Sequence, residues 1–481
     1  MKNEQLLYVS SKEYQRGYMT TINNIIPEGA RYILYQFAKL GYKAYLVGGC
    51  VRDIIMKRKP HDWDICTNAT PTDMMNIAKY LNEKNKETIK VIPTGLQHGT
   101  LTLMINGEGF EVTTFRCDGT YSDNRRPDDV TFTDNLTEDL KRRDFTINAI
   151  AYSIFTGFID PYNGIQDIKD GKITCVGSAK ERFNEDALRI LRAIRFSSQL
   201  DFVTTPDTDW EIHRQYKNLS NISIERINSE FCKIAASNSF CIPMVIYKDV
   251  IALFIPEIKD MFNFPQNNPY HNYDVYDHTI HAIEACDVAE VDDLIVKLAV
   301  FFHDIGKPHC YQDDENGIRH FKGHGRVSAE ITNIIMRRMK FDNETREKVI
   351  ELVYYHDATF EMTKKHIKRW LNKIGEEQFR RLLLVRKADI QAQNPDYKEE
   401  RLLKIENISS LLDETLNEKE CFSLKDLKIN GSDLISLGYK EGKTIGFILN
   451  HILQKVMDND LKNEKSELVE YVKNNKIEVG K

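Results

Sequence analysis

The tightest constraint on the fold lies between Ala44 and Pro71, in AYLVGGCVRDIIMKRKPHDWDICTNATP. Tyr45, Leu46 and Val47 read as a short buried strand, Gly48 and Gly49 as the turn after it, and Val51 to Met56 as the first turns of a helix. A strand that ends in glycines against a helix N-terminus makes a phosphate cradle, because the backbone approaches an anion without a Cβ in the way and its free amides point at it. Ten residues beyond Arg52 stands Asp62, and Asp62 and Asp64 would share one face of a strand. Paired carboxylates beside such a cradle suit magnesium, which binds through one or two carboxylates and its substrate's own phosphates. Moving a nucleotidyl group needs that equipment, since its catalysis is positioning and charge neutralisation.

Gly-Gly-x-x-Arg-Asp with Asp-x-Asp at this distance resembles the head of the polymerase-β-type nucleotidyltransferases, in the bacterial group that contains CCA-adding tRNA nucleotidyltransferases and poly(A) polymerases. The resemblance implies an α+β chain: a nucleotidyltransferase head of small mixed sheet and helices, then an all-α neck, a metal-binding body and a tail. Along 481 residues, enough for several cores, the expected divisions are an extension at 1–25, the head at 26–175, the neck at 176–258, the body at 259–398 and the tail at 399–481.

Within the head, Pro27 to Leu40 and Thr72 to Asn82 read as helices, and Gly99 to Ile105 with Phe110 to Phe115 as a hairpin turning at Asn106-Gly107. Glu111, early on its second strand, is the candidate third carboxylate of a two-metal transfer site. The polar stretch Asp118 to Phe132 is too rich in turn formers for core. It resembles the flexible loop of CCA-adding enzymes and favours full CCA over CC addition. RRDFTINAIAY, Arg142 to Tyr152, reads as a helix with Phe145, Ile147, Ala149 and Ile150 on its apolar side; the resemblance sets Arg143 near a triphosphate, with Asp144 and Asn148 bracing it or touching the sugar.

In EDALRILRAIRF, Asp186, Arg189, Arg192 and Arg195 form a stripe along a helix whose other side is Leu188, Leu191 and Ile194. Asp accepts hydrogen bonds and Arg only donates them. Cytosine and adenine both present an amino donor beside a ring-nitrogen acceptor, so an adjacent Asp186 and Arg189 match either base; uracil and guanine present the reverse and would leave partners unpaired, at about 1–3 kcal/mol each. The family assigns a templating role to these positions, with Arg192 and Arg195 nearer the phosphates. In ERINSEF, Arg226 and Glu230 stand at i and i+4, an ion pair that would fix the neck.

Nine of the thirteen histidines fall between His271 and His366. His278, the pair His303-Asp304 with Lys307, and Asp389 resemble the HD superfamily of metal-dependent phosphohydrolases, whose ligands are a His, a His-Asp pair and a distant Asp. His324 and His356 occupy places that supply a second metal in some members. Such ligands suit a divalent transition metal, which lowers the pKa of bound water; hydrolysis of 2′,3′-cyclic phosphates at tRNA ends is the activity implied. In the tail, LKINGSDLISLGYKEGKTIGFILNHILQKV resembles the family's tRNA-binding segment, with Lys425, Lys428, Lys440 and Lys443 offered to RNA phosphates.

A formal charge of −6 means that any grip on tRNA comes from a local basic stripe. Nine cysteines without a Cys-x-x-Cys pair, no signal-peptide core and no membrane-length apolar run predict reduced thiols in a cytoplasmic protein, with no protein partner implied. The expected activity is addition or repair of the 3′-terminal CCA of tRNA from CTP and ATP, without a nucleic-acid template and with release of pyrophosphate. The alternatives are a poly(A) polymerase of the same family, or an HD phosphohydrolase whose head only binds nucleotide.

Overall fold

The computed structural model describes residues 21–85, 88–119 and 129–475. Residues 1–20 of the extension and 120–128 of the polar loop therefore lie outside the described residues. The chain divides into two units, 1–234 and 235–481.

The first unit is α+β. Its strands up to residue 160 are β1 (Ala44–Val47), β2 (Asp64–Thr67), β3 (Lys90–Gly95), β4 (Thr100–Ile105), β5 (Glu108–Thr114), β6 (Arg116–Asp118), β7 (Val130–Phe132), β8 (Ala151–Ser153) and β9 (Gly157–Ile159), and a short parallel pair, Lys172–Ile173 with Val203–Thr204, follows. Seven of them form one sheet in the order β3–β4–β5–β2–β1–β8–β9, and β6 pairs separately with β7. The predicted hairpin is present: Leu101, Leu103 and Ile105 alternate inward along β4, and Asn106 (φ 52°) and Gly107 (φ 86°) supply the left-handed residues of a tight two-residue turn. β2 and β5 run parallel, which sets Asp64 directly opposite Glu111.

Three local expectations change. Asp62 precedes β2 instead of lying on it, so the two carboxylates are neighbours across a strand entry. The segment after Arg142 is no helix: only Thr146–Asn148 make a 3₁₀ turn before β8. Asp144 to Ser153 are all buried, so no polar face exists for an amphipathic helix to show, and the run enters the sheet core instead. Finally, the helix Ala179–Glu185 ends at Asp186, which is extended (φ −137°, ψ 104°), and a new helix runs Leu188–Leu200. Asp186 Oδ1 accepts from Leu188 N at 3.1 Å, so the acid sits at a joint between helices, while Leu188, Leu191 and Ile194 pack inward as expected.

The second unit is helical. The helix Leu294–Phe302 is apolar nearly all round and buried from Val296 to Phe302; its one charge, Lys297, is paired with Asp287 at 3.1 Å. Its end delivers His303 and Asp304 into the interior. Toward the C-terminus, Leu434, Ile448, Ile452, Leu453, Met457 and Leu468 form a separate small core.

Gly164 holds the 3₁₀ turn in place, because a Cβ there would stand 2.1 Å from Thr146 O. Gly164→Ala should cost about 1–3 kcal/mol, the range of overpacking, read as a lowered thermal midpoint; an unchanged midpoint contradicts the packing described.

Candidate functional site

In the first unit the site begins at Gly48, whose φ of 80° only glycine adopts without strain. A Cβ there would lie 3.4 Å from Arg143 Nη1 and 3.6 Å from Asp64 Oδ2, so the turn brings backbone, guanidinium and carboxylate to one point. Gly49 opens the helix Gly49–Ile55. Burial raises the pKa of Asp64, Glu111 and Asp62 raise it further, and the Arg143 charge opposes them. A half-buried carboxylate crowded by two others has the electrostatics of a cation site, and its oxygens are hard ligands that fit magnesium. Both Asp62 and Glu111 are exposed, and the three carboxylates are not among the described groups whose ligand atoms all lie within 4.8 Å.

A chain of polar contacts leads from this turn. Arg52 donates from Nη1 to Asn148 Oδ1 at 2.9 Å, Asn148 donates from Nδ2 to Asp144 Oδ1 at 3.2 Å, and Arg192 donates from Nε to Asp144 Oδ2 at 2.7 Å. Burial would raise Asp144, yet Arg192 and Arg189 hold it down to about 2. Asp144 and Asn148, expected to brace Arg143, are bonded instead to each other, to Arg192 and to Arg52, partners that spacing alone did not indicate. Asp139 was missed altogether: fully buried, it accepts from Arg142 at 2.7 Å and from Arg143 at 3.4 Å. Its spacing of three and four residues before those arginines was the available signal.

At the joint, the Asp186 and Arg189 side chains are both held by neighbours. Asp186 Oδ2 accepts from Arg226 Nη2 at 3.0 Å. Arg189 donates to Glu185, to Arg182 O at 3.2 Å and to Arg142 O at 2.9 Å, next to Arg143 in the chain. The expected Arg226–Glu230 pair is replaced: Glu230 takes Arg195 at 3.0 Å, and Arg195 is buried against the Phe196 ring. Arg195 is therefore occupied inside the neck helices, whereas Arg192 reaches Asp144.

In the second unit the structure gathers all six predicted ligands. His278, His303, Asp304 and His356 are 0–2% exposed, His324 7% and Asp389 9%. Each histidine places Nδ1 against a backbone carbonyl: Ala392 O at 3.3 Å for His278, Val300 O at 2.6 Å for His303, Phe321 O at 2.8 Å for His324 and Val353 O at 2.7 Å for His356. A carbonyl only accepts, so each Nδ1 carries the proton and each Nε2 offers a lone pair. Those lone pairs converge on carboxylates: His278 Nε2 is 3.0 Å from Asp389 Oδ1, and His303 Nε2 is 3.1 Å from Asp304 Oδ2. On the other side of Asp304, Oδ1 is 3.4 Å from His324 Nε2 and 3.7 Å from His356 Nε2, with the two Nε2 atoms 2.9 Å apart. Lone pairs facing lone pairs in a buried space demand positive charge at the centre. The demand shows in His303, where burial lowers the pKa but the Asp304 charge more than reverses it. Imidazole and carboxylate donors in this arrangement fit a divalent transition metal on either side of Asp304. Lys307 donates to Asp304 Oδ2 at 2.7 Å and to Gln266 at 2.8 Å.

The tail lysines Lys425, Lys428, Lys440 and Lys443 are exposed around their small core. No helix among the described residues is long and apolar enough to cross a membrane.

Residues 44–174 match the model of the poly A polymerase head domain, and 324–472 match that of tRNA nucleotidyltransferase domain 2. A CCA-adding enzyme of Lactobacillus johnsonii is 47% identical over 216 residues, which are 44% of this chain and 52% of the relative, so the match spans about half the length of that protein. A CCA-adding enzyme of Staphylococcus aureus is 31% identical over 450 residues, 93% of this chain and 98% of the relative. The crystal structure of the Bacillus stearothermophilus CCA-adding enzyme in complex with CTP is similar with a TM-score of 0.63 and 27% identity, covering 92% of this chain and 95% of that one. The Thermotoga maritima CCA-adding enzyme complexed with tRNA shares the fold at a TM-score of 0.58 and 22% identity, covering 92% and 94%. Glycine turn, carboxylates and helical joint thus stand in a chain that aligns with a relative from end to end, and the chain belongs to the family of the CCA-adding enzymes.

Proposed function

We propose that this chain adds the terminal C, C and A to tRNA, the RNA 3′-hydroxyl attacking the α-phosphate of CTP and then ATP with release of pyrophosphate. The observation that carries this reading is the joint at Asp186, where an acid held by Arg226 and a guanidinium held by Glu185 stand three residues apart. Arg226 orients the acceptor and Glu185 the donor. A cytosine or adenine satisfies both, and a uracil or guanine neither. Gly48, Gly49, Arg52 and Arg143 cradle the triphosphate, Asp144 and Asn148 carry the cradle's position to Arg192, and Asp62, Asp64 and Glu111 hold magnesium. That ion neutralises developing phosphate charge when bound. The tail lysines take RNA phosphates, and the reaction is cytoplasmic. We assign 26–175 to the head, 176–258 to the neck, 259–398 to the metal-binding body and 399–481 to the tail.

A second reading concerns the histidine cluster, and the convergent lone pairs favour it: an HD-type phosphohydrolase centre acting on phosphate groups such as 2′,3′-cyclic ends. His278, His303 and Asp389 would hold one ion and His324 and His356 a second, with Asp304, held by Lys307, within reach of both groups. A transition metal there supplies a water of lowered pKa.

Trimmed tRNA offered with labelled CTP and ATP tests the first reading. Wild-type protein should incorporate C, C and A in order, and Asp62→Asn or Asp64→Asn should cut the rate at least about a thousandfold, the scale of removing a metal-borne charge effect. A-only tails would replace this reading with poly(A) polymerase. For the second centre, Asp304→Asn should abolish stoichiometric manganese or cobalt binding, measured by elemental analysis, and any phosphohydrolase activity while nucleotide addition stays within about twofold. Absence of bound metal and hydrolysis in the wild-type protein would sink it.

A further inference from the structure

The loop from Pro265 to Tyr273 runs along the histidine cluster and is anchored at both of its faces. Asn394 donates from N to Tyr270 O at 2.9 Å and from Nδ2 to Pro269 O at 2.9 Å, Tyr270 meets Tyr397 edge-on with centroids 5.0 Å apart, and Arg401 lies 4.6 Å over the Tyr270 ring. On the other face, Gln266 accepts from Lys307, which itself holds Asp304. These contacts fix His271, whose ring stands edge-on to His278 with centroids 4.7 Å apart and planes at 89°.

His271 differs from the four ligand histidines. Each of those spends its Nδ1–H on a backbone carbonyl, whereas Nδ1 of His271 is buried with no hydrogen-bond partner. A fold retains a buried polar atom in that state when it has a partner at another stage of the protein's work. His271 is also partly exposed while its neighbour His278 is wholly buried, which puts it on the solvent side of the centre. It stands outside the described groups whose ligand atoms lie within 4.8 Å of one another, and its ring contact with the cluster is with His278.

We propose that His271 is a substrate-contacting residue of this centre, donating a hydrogen bond from Nδ1 to an oxygen of the phosphate group taken up there. The inference rests on the hydrolytic reading of the cluster. It assigns recognition of the phosphate to the anchored loop, and metal binding to the helices.

The test uses the full-length, manganese-loaded protein as wild type, His271→Ala and His271→Gln, with metal content measured by elemental analysis and binding of inorganic phosphate by calorimetry. All three should hold the same manganese. His271→Ala should weaken phosphate binding roughly tenfold or more, as loss of a hydrogen bond to a charged group does, and His271→Gln, which keeps an N–H donor, should restore part of it. Unchanged phosphate affinity in His271→Ala overturns the inference, as does loss of manganese, which would make His271 a ligand. Wild-type protein that holds manganese and binds no phosphate overturns this inference alone; wild-type protein that takes up no manganese overturns the hydrolytic reading with it.

Discussion

The contact between Asp144 and Arg192 joins the glycine-turn side of the first unit to the helix Leu188–Leu200. Asp144 lies in the buried run that follows Arg143, and Arg192 on the helix that begins just after Asp186. Through Asn148 the same carboxylate is tied to Arg52 and the glycine turn. Because its pKa is held at about 2, below the ordinary 3.8, its contribution is fully present above that ordinary value and fades only as pH falls toward 2. The Asp144–Arg192 contact therefore keeps its charge at neutral pH.

Much of this was legible in the sequence, and what escaped has a physical reason. Glycines at 48 and 49 and the hairpin turn at Asn106-Gly107 are local signals, and each appears where expected, whereas of the two carboxylates only Asp64 lies on the strand and Asp62 stands before it. The clustering of His278, His303, Asp304, His324, His356 and Asp389 was legible as a set, because five separated segments each carried a residue type with a metal-binding atom. Failures came where tertiary burial overrode periodicity. Arg142 to Tyr152 have a helical pattern, yet burial from Asp144 onward turned them into a short turn and the start of a strand. Asp186 is spaced to continue a helical stripe, but it is extended and accepts from Leu188 N at the start of the next helix. Ion-pair partners were least legible: the i,i+4 spacing of Arg226 and Glu230 concealed longer-range partners, Asp186 and Arg195.

The two centres differ in the charge chemistry they offer. The first places carboxylates near a guanidinium at two paired interior strands, hard oxygen donors of the kind magnesium takes. The second surrounds one carboxylate with four imidazoles in a nearly closed space, a donor set of softer kind.

The central claim is that side chains oriented by the protein take the place of a template strand. Replacing Arg226 with Ala releases Asp186 and leaves Arg189, the glycine turn and the carboxylates untouched. Single-turnover addition of CTP, ATP, UTP and GTP to trimmed tRNA then reads base choice directly. The account predicts that discrimination against UTP and GTP falls by about tenfold or more, the worth of one oriented hydrogen bond to a charged group. If all four rates fall together and their ratios stay as in the wild type, Asp186 does not read the base and the claim is wrong.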